Sequence, residues 1–165
     1  MQTPILTHQQ IQFKIRRMAY QIYEANVNEK IIILAGIDGG GMELTRRIQQ
    51  ILQDITEAEI KLCHVYMDKG NPLQSGVETS LKPNEYTNHS VVLIDDVLSS
   101  GSTLIYGVHH FIKTPLKQLK TAVLINRNFK RYPVKADFKG ISLSTSLHEH
   151  VRVDLASEQN AVFLD

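Results

Sequence analysis

Tryptophan is missing from this chain of 165 residues, and cysteine occurs once, as Cys63. A lone cysteine rules out an intrachain disulfide and points to a reducing compartment. Cys63 lies in the apolar run Ile60–Tyr66, where a buried, inert thiol is expected rather than a nucleophile. Neither sign of charge dominates: 18 Lys and Arg stand against 17 Asp and Glu, a formal net charge of +1. No global field draws the chain to nucleic acid or to an acidic membrane, so any such site has to be a local patch. Long hydrophobic runs are lacking too, and no window approaches the length of a membrane span. The polar stretch Met1–Gln10 lacks the apolar core of a signal peptide. A cytoplasmic location is expected. No lysine of the Walker A type follows a glycine-rich loop, which argues against a P-loop nucleotide hydrolase.

What is present is ordinary in amount and informative in order. Hydrophobic residues make up 42 % and charged residues 21 %. One domain over residues 1–165 is expected. A chain of this size can bury roughly two-thirds of its unfolded surface without disulfides or a structural metal. Thr7 and Gln10 read as a capping box, and Ile11, Ile15, Met18, Ala19, Ile22 and Ala25 follow at helical spacing to about Asn26–Asn28. Lys30–Ala35 reads as a buried parallel strand, followed by the loop Gly36–Gly41. Leu44, Ile48, Ile51, Leu52 and Ile55 mark a second helix. Further strands are expected at Ile60–Tyr66, Ser90–Ile94 and Leu119–Ile125, with a third helix on Leu104, Val108, Phe111 and Ile112. Asp68–His89 shows almost no apolar pattern and reads as a structureless lid. The order predicts an α/β fold with a mostly parallel twisted sheet flanked by helices. In such sheets ligands bind at the carboxyl ends of the strands.

One segment carries most of the chemistry: Val91-Val92-Leu93-Ile94-Asp95-Asp96-Val97-Leu98-Ser99-Ser100-Gly101-Ser102-Thr103. An apolar strand delivers two carboxylates, and a loop of small hydroxyl residues with one glycine opens a helix. A helix N-terminus offers free N–H groups and partial positive charge, which suits a phosphate. Gly101 allows close backbone approach, and Ser100, Ser102 and Thr103 add hydroxyl donors. Two carboxylates beside a phosphate make sense if they accept hydrogen bonds from sugar hydroxyls with a cation nearby. A plain strand–turn–helix, in which Asp95 and Asp96 merely end the strand, is the duller alternative. Gly39-Gly40-Gly41 sits likewise between a strand and a helix and suits a second phosphate contact.

The segment resembles the phosphoribosyl-pyrophosphate signature of type I phosphoribosyltransferases. Within them the chain is most similar to the bifunctional pyrimidine-operon regulator and uracil phosphoribosyltransferase family. Arg17–Ile22 resembles that family's first helix. Ala122–Arg127, Tyr132–Phe138, Gly140, Thr145-Ser146 and Asn160–Leu164 resemble its C-terminal half in order and spacing. The resemblance implies the type I phosphoribosyltransferase fold, with a small hood built from both chain ends. It implies transfer of phosphoribose to uracil, with Mg2+ held mainly through the pyrophosphate substrate, and a homodimer or higher homo-oligomer. Asp95 and Asp96 would hold the ribose hydroxyls, with Lys69 as a cation from the lid Met67–His89. Val97, Leu98, Ser99, Ser100, Gly101, Ser102 and Thr103 would wrap the 5-phosphate. Ile37, Asp38, Gly39 and Gly40 would touch pyrophosphate, and Asn126, Arg127 and the loop Ile141–Ser146 would lie near the base.

The chain departs from the family pattern in four places: the signature, the pyrophosphate loop, the lid and the residue before Arg127. Ser99 and Ser102 replace a tyrosine and an arginine. Ile37-Asp38-Gly39-Gly40 lacks a basic residue, and Tyr66-Met67-Asp68 lacks the arginine that opens the lid. Asn126 replaces an aspartate. Lys69 or Lys82 could supply a missing cation. A purine or another base is one alternative for the substrate. The other is a nucleotide-sensing RNA regulator, suggested by the basic stretch Arg127, Lys130, Arg131, Lys135 and Lys139 with its interleaved aromatics. His109 and His110 are expected at the surface. His148-Glu149-His150 is expected on a strand and lacks a third ligand for a metal.

Overall fold

The computed structural model describes residues 2–165. Helix α1 spans His8–Glu24, and its start is the expected capping box: Gln10 N donates to Thr7 Oγ1 and Thr7 N donates to Gln10 Oε1. Ile11, Ile15, Met18, Ala19 and Ile22 form its buried stripe. Strand β1 (Ile31–Ile37) leads into α2 (Gly40–Ile55), and β2 (Glu59–Tyr66) follows. Three short elements, α3 (Pro72–Ser75), β3 (Glu78–Thr79) and α4 (Pro83–Tyr86), precede β4 (Ser90–Leu98). Helix α5 (Ser102–Phe111), β5 (Gln118–Arg127) and β6 (Phe138–Leu143) complete the main sheet. β7 (Val151–Asp154) and β8 (Ala161–Leu164) form a separate antiparallel pair.

The main sheet has the order β3-β2-β1-β4-β5-β6. Every pairing in it is parallel except that of β2 with the two-residue β3. The central strands β1 and β4 are apolar because both their faces are covered. On one face Ile32, Leu34, Val92 and Ile94 pack with α1, α2 and the β7–β8 pair. On the other, Ile33, Ala35, Val91 and Leu93 pack with Tyr86 and with Leu104 and Phe111 of α5. Each such fully buried side chain stabilises the fold by about 1.5–3 kcal/mol relative to exposure. Cys63 belongs to the second cluster, and burial pushes its thiol pKa up, in keeping with an inert cysteine.

The two chain ends meet in the expected hood. Ile5 N donates to Val162 O at 2.8 Å, beside a bridge between Leu6 and Val162. Arg47 of α2 clamps the hood through Asn160 Oδ1 (2.7 Å) and the Leu155 carbonyl (2.5 Å), and Gln12 of α1 reaches the same Asn160 oxygen.

The structure corrects three expectations. Asp68–His89 is not structureless: Asn71 caps α3, and Tyr86 of α4 is only 1 % exposed, edge-on to Phe111 with ring centroids 5.1 Å apart. Elements of two to four residues are too short to leave a periodic signal in sequence. Strand β4 continues to Leu98, so Asp95 and Asp96 lie within it, where Asp95 pairs in register with Val123. His148-Glu149-His150 lies in the turn before β7 rather than on a strand.

Candidate active site

The strand order reverses at β1 and β4. From β1 the chain crosses through α2 to β2 on one side, and it returns to β4 on the other. The carboxyl ends of β1 and β4 therefore open a crevice at the switch point. The loop before α2 and the segment Asp95–Thr103 both fall there. Gly39, with φ +88°, starts the turn into α2 in a conformation that side chains disfavour. Gly40 and Gly41 then press against the two acids. A Cβ on Gly41 would stand 2.9 Å from the Ile94 carbonyl and 3.0 Å from Asp95 Oδ1, and one on Gly40 would collide with Asp96 Oδ2. Glycine at both positions lets the positive end of α2 lie directly on the carboxylates.

Asp95 is 3 % exposed. Its Oδ1 accepts the Asp96 N–H at 2.9 Å, and Lys69 Nζ lies 3.5 Å away. Burial raises the Asp95 pKa to about 8, the neighbouring Asp96 charge adds to the rise, and Lys69 opposes it. Asp96 is half-buried, and its Oδ1 accepts the Val97 N–H at 2.8 Å.

Gly101 caps α5 with φ +89°, and a Cβ there would meet Val134 Cγ1 at 2.6 Å. The Ser100 carbonyl accepts two N–H groups, from Arg131 at 2.8 Å and Tyr132 at 3.0 Å. Ser100 Oγ accepts the Ser102 N–H at 3.2 Å. The Ser99–Thr103 loop is thus braced by residues 131–134, with the opening turn of α5 lining the cavity beside it.

These groups share a cavity of about 350 Å³. Lys69, Asp95, Asp96 and Val97–Thr103 line it, together with Arg127 and with His150, Val151 and Val153 at the start of the hood. His150, Val151 and Val153 were not marked in sequence as lining this site, because only the return of the chain end brings them to the crevice. Ile37, Asp38, Gly39, Gly40 and Asn126 do not line this cavity. Ile37 is buried in the core, and Asp38 turns toward His64. Asn126 bonds to Ser142 Oγ and accepts from Lys130 Nζ.

Arg127 lines the cavity from the end of β5 and is 7 % exposed. Its guanidinium donates to Thr145 Oγ1, Ser99 Oγ and the carbonyls of Ser146 and Glu149. It ties the Ser99 loop to the segment that enters the hood, and it is not part of an exposed basic patch. Lys130 folds back onto Asn126 Oδ1 and the Arg127 carbonyl, and it stays exposed along with Arg131, Lys135 and Lys139. Met67, at the missing lid arginine, packs on the core, and Lys69 two residues on is the cation that reaches the acids. His109 is exposed as expected. His110 is half-buried, with a buried Nε2 that has no partner among the described residues.

The model of the phosphoribosyl transferase domain family matches residues 1–158. The chain belongs to this family. Two relatives, each called bifunctional protein PyrR, are similar over most of their length. The protein of Streptococcus agalactiae is 31 % identical over 143 residues, 86 % of this chain and 83 % of that one. The protein of Streptomyces coelicolor is 32 % identical over 163 residues, 94 % of this chain and 84 % of that one. Among solved structures, a hypoxanthine phosphoribosyltransferase of Trypanosoma cruzi superposes with a TM-score of 0.76 at 17 % identity, covering 98 % of this chain and 96 % of that one. A hypoxanthine-guanine phosphoribosyltransferase of Bacillus anthracis gives 0.72 at 19 % identity, covering 86 % and 84 %. The parallel sheet with flanking helices is therefore the fold of this family's enzymes. No helix among the described residues is long and apolar enough to cross a membrane.

Proposed function

We propose that this chain transfers the phosphoribosyl group of 5-phosphoribosyl-1-pyrophosphate to a pyrimidine base, uracil, and releases pyrophosphate. The observation that carries the reading is the shared cavity. Two acids, a helix-opening loop of hydroxyl residues and the start of the hood line it together. The sequence similarity to the PyrR proteins supports the pyrimidine choice.

In this reading Asp95 and Asp96 accept hydrogen bonds from the ribose hydroxyls. The N–H groups and hydroxyls of Ser99–Thr103 hold the 5-phosphate. The N-terminal N–H groups of α2, reached through Gly39 and Gly40, face the pyrophosphate. A ring nitrogen of the base attacks the anomeric carbon as the bond to pyrophosphate breaks. Pyrophosphate leaves with the electron pair, and the nitrogen gives up its proton. The protein's part is positioning, exclusion of water and neutralisation of charge. Lys69 provides that charge on the protein side.

The donor set also bears on magnesium. The acids offer hard oxygen ligands, yet no cluster of three or more His, Cys, Asp or Glu is present among the described residues. That set fits a cation brought mainly by the pyrophosphate substrate, to which Asp95 or Asp96 would offer an oxygen. Bound there, magnesium would neutralise charge on the leaving group.

Calorimetry with phosphoribosyl pyrophosphate and magnesium, followed by an assay of pyrophosphate release on adding uracil, tests the reading. Binding with uracil-dependent release is the expected result, and Asp95→Asn with Asp96→Asn removes both. Release with hypoxanthine instead of uracil would make the base a purine. Absence of binding would overturn the assignment of the Val91–Thr103 segment.

A further inference from the structure

Asp38 is an acid in the turn that opens α2, next to the N–H groups assigned above to pyrophosphate. A free carboxylate at that point would compete for those N–H groups itself and would repel a polyanion. The structure disposes of it by a specific contact. Asp38 Oδ1 lies 2.7 Å from His64 Nε2, on the neighbouring strand β2. A carboxylate only accepts, so Nε2 carries the hydrogen.

Three features hold this pair in place. Gly36 and Ile37 pair with His64 and Val65 in register, and the Asp38 N–H donates to the Val65 carbonyl at 2.8 Å, which pins the turn against β2. The His64 N–H donates to Ser80 Oγ at 2.8 Å and the Ser80 N–H donates to the His64 carbonyl at 2.9 Å, so β2 is fixed from its other side as well. Tyr66, two residues along and on the same face of the strand, stacks on the imidazole. The ring centroids are 4.1 Å apart and the planes 16° from parallel. The tyrosine sets the plane in which Nε2 meets the carboxylate.

We infer that His64 is a positioning residue for the pyrophosphate moiety. Its Nε2 holds the Asp38 carboxylate toward β2 and away from the N-terminus of α2. The inference rests on the phosphoribosyl-transfer reading and concerns the leaving-group end of the same site.

The test is calorimetric titration of the full chain with pyrophosphate in the presence of magnesium, with phosphoribosyl pyrophosphate titrated in parallel. His64→Gln is expected to weaken pyrophosphate binding on the order of fivefold, the effect of one nearby charge in a solvated site. Asp38→Asn alone is expected to bind pyrophosphate at least as tightly as the parent. Asp38→Asn added to His64→Gln is expected to recover most of the loss. A contact that serves only to shape the loop gives a different pattern, in which each single substitution weakens binding and the double variant is no better than the weaker single. Unchanged binding in His64→Gln, or no recovery in the double variant, overturns the inference and leaves the transfer reading standing. A parent protein that binds neither ligand overturns both.

Discussion

Lys69 reaches from the turn after β2 to place its Nζ 3.5 Å from Oδ1 of Asp95, an acid at the floor of the crevice. Among the described residues it is the only lysine or arginine within ion-pair distance of either Asp95 or Asp96. The turn that carries it is built rather than loose: Asp68 Oδ1 accepts the Gly70 N–H, and Ser75 Oγ accepts the Asp68 N–H. A cation two residues beyond the family's usual position is thereby delivered to the acids.

Lys69→Met should lower kcat/KM for phosphoribosyl pyrophosphate by about 10²-fold, as loss of one preorganised charge commonly does. Lys69→Arg should restore part of it. Steady-state kinetics with uracil, alongside thermal midpoints to exclude a folding defect, would check this. Unchanged kinetics in Lys69→Met would remove Lys69 from the catalytic set.

The raised pKa of Asp95 sets a stability trend with pH. Its ordinary value is 3.8 and its value in the fold about 8. Between those limits the unfolded chain has released this proton while the folded chain keeps it. The folded state therefore binds more protons, and stability falls as pH rises from about 4 to about 8. Asp95→Asn has no such charge to bury. Its thermal midpoint should exceed that of the parent at pH 8, and the difference should shrink toward pH 4. Parallel melting curves across that range would contradict the raised value.

Gly101→Ala combines two penalties. It forces a side chain into the left-handed region and drives its Cβ to 2.6 Å from Val134. A loss of about 2 kcal/mol is expected from denaturant titration, with phosphoribosyl pyrophosphate binding weakened by at least tenfold because the 5-phosphate loop shifts. Thr103→Ala should leave stability nearly unchanged and serves as the control for the loop.

Arg127→Ala removes a buried guanidinium and the hydrogen bonds it donates to four partners. The expected cost is about 3 kcal/mol. Arg127→Lys should recover little, since one ammonium cannot reproduce a planar fork. Urea unfolding of both variants would measure this, and near-parental stability in Arg127→Ala would refute the bracing role.

Much of the scaffold was legible because its signals are local and periodic. The capping box at Thr7 and Gln10, the stripe from Ile11 to Ile22 and the apolar run into Asp95 each follow from a spacing that any isolated segment displays. The segment 68–89 was not legible, because α3, β3 and α4 each span only about one period of their own pattern and cannot repeat it. The hood side of the cavity was equally hidden: His150, Val151 and Val153 become neighbours of Ser99 and Asp95 only when β8 pairs with β7 and Leu6 bridges to Val162.

By itself the sequence determined the parallel α/β order, the acid pair, the glycine turns and the kinship with phosphoribosyl transferases, since all of these are written in contiguous residues. The tertiary structure decided what each charge does. Arg127, basic in sequence, became a buried brace once β5 carried it beneath the chain entering the hood. Asp38 was answered by a histidine 26 residues away, and Asp95 by a lysine from a turn without pattern. A charge takes its role from the partners and the solvent around it, and folding alone brings those partners within reach.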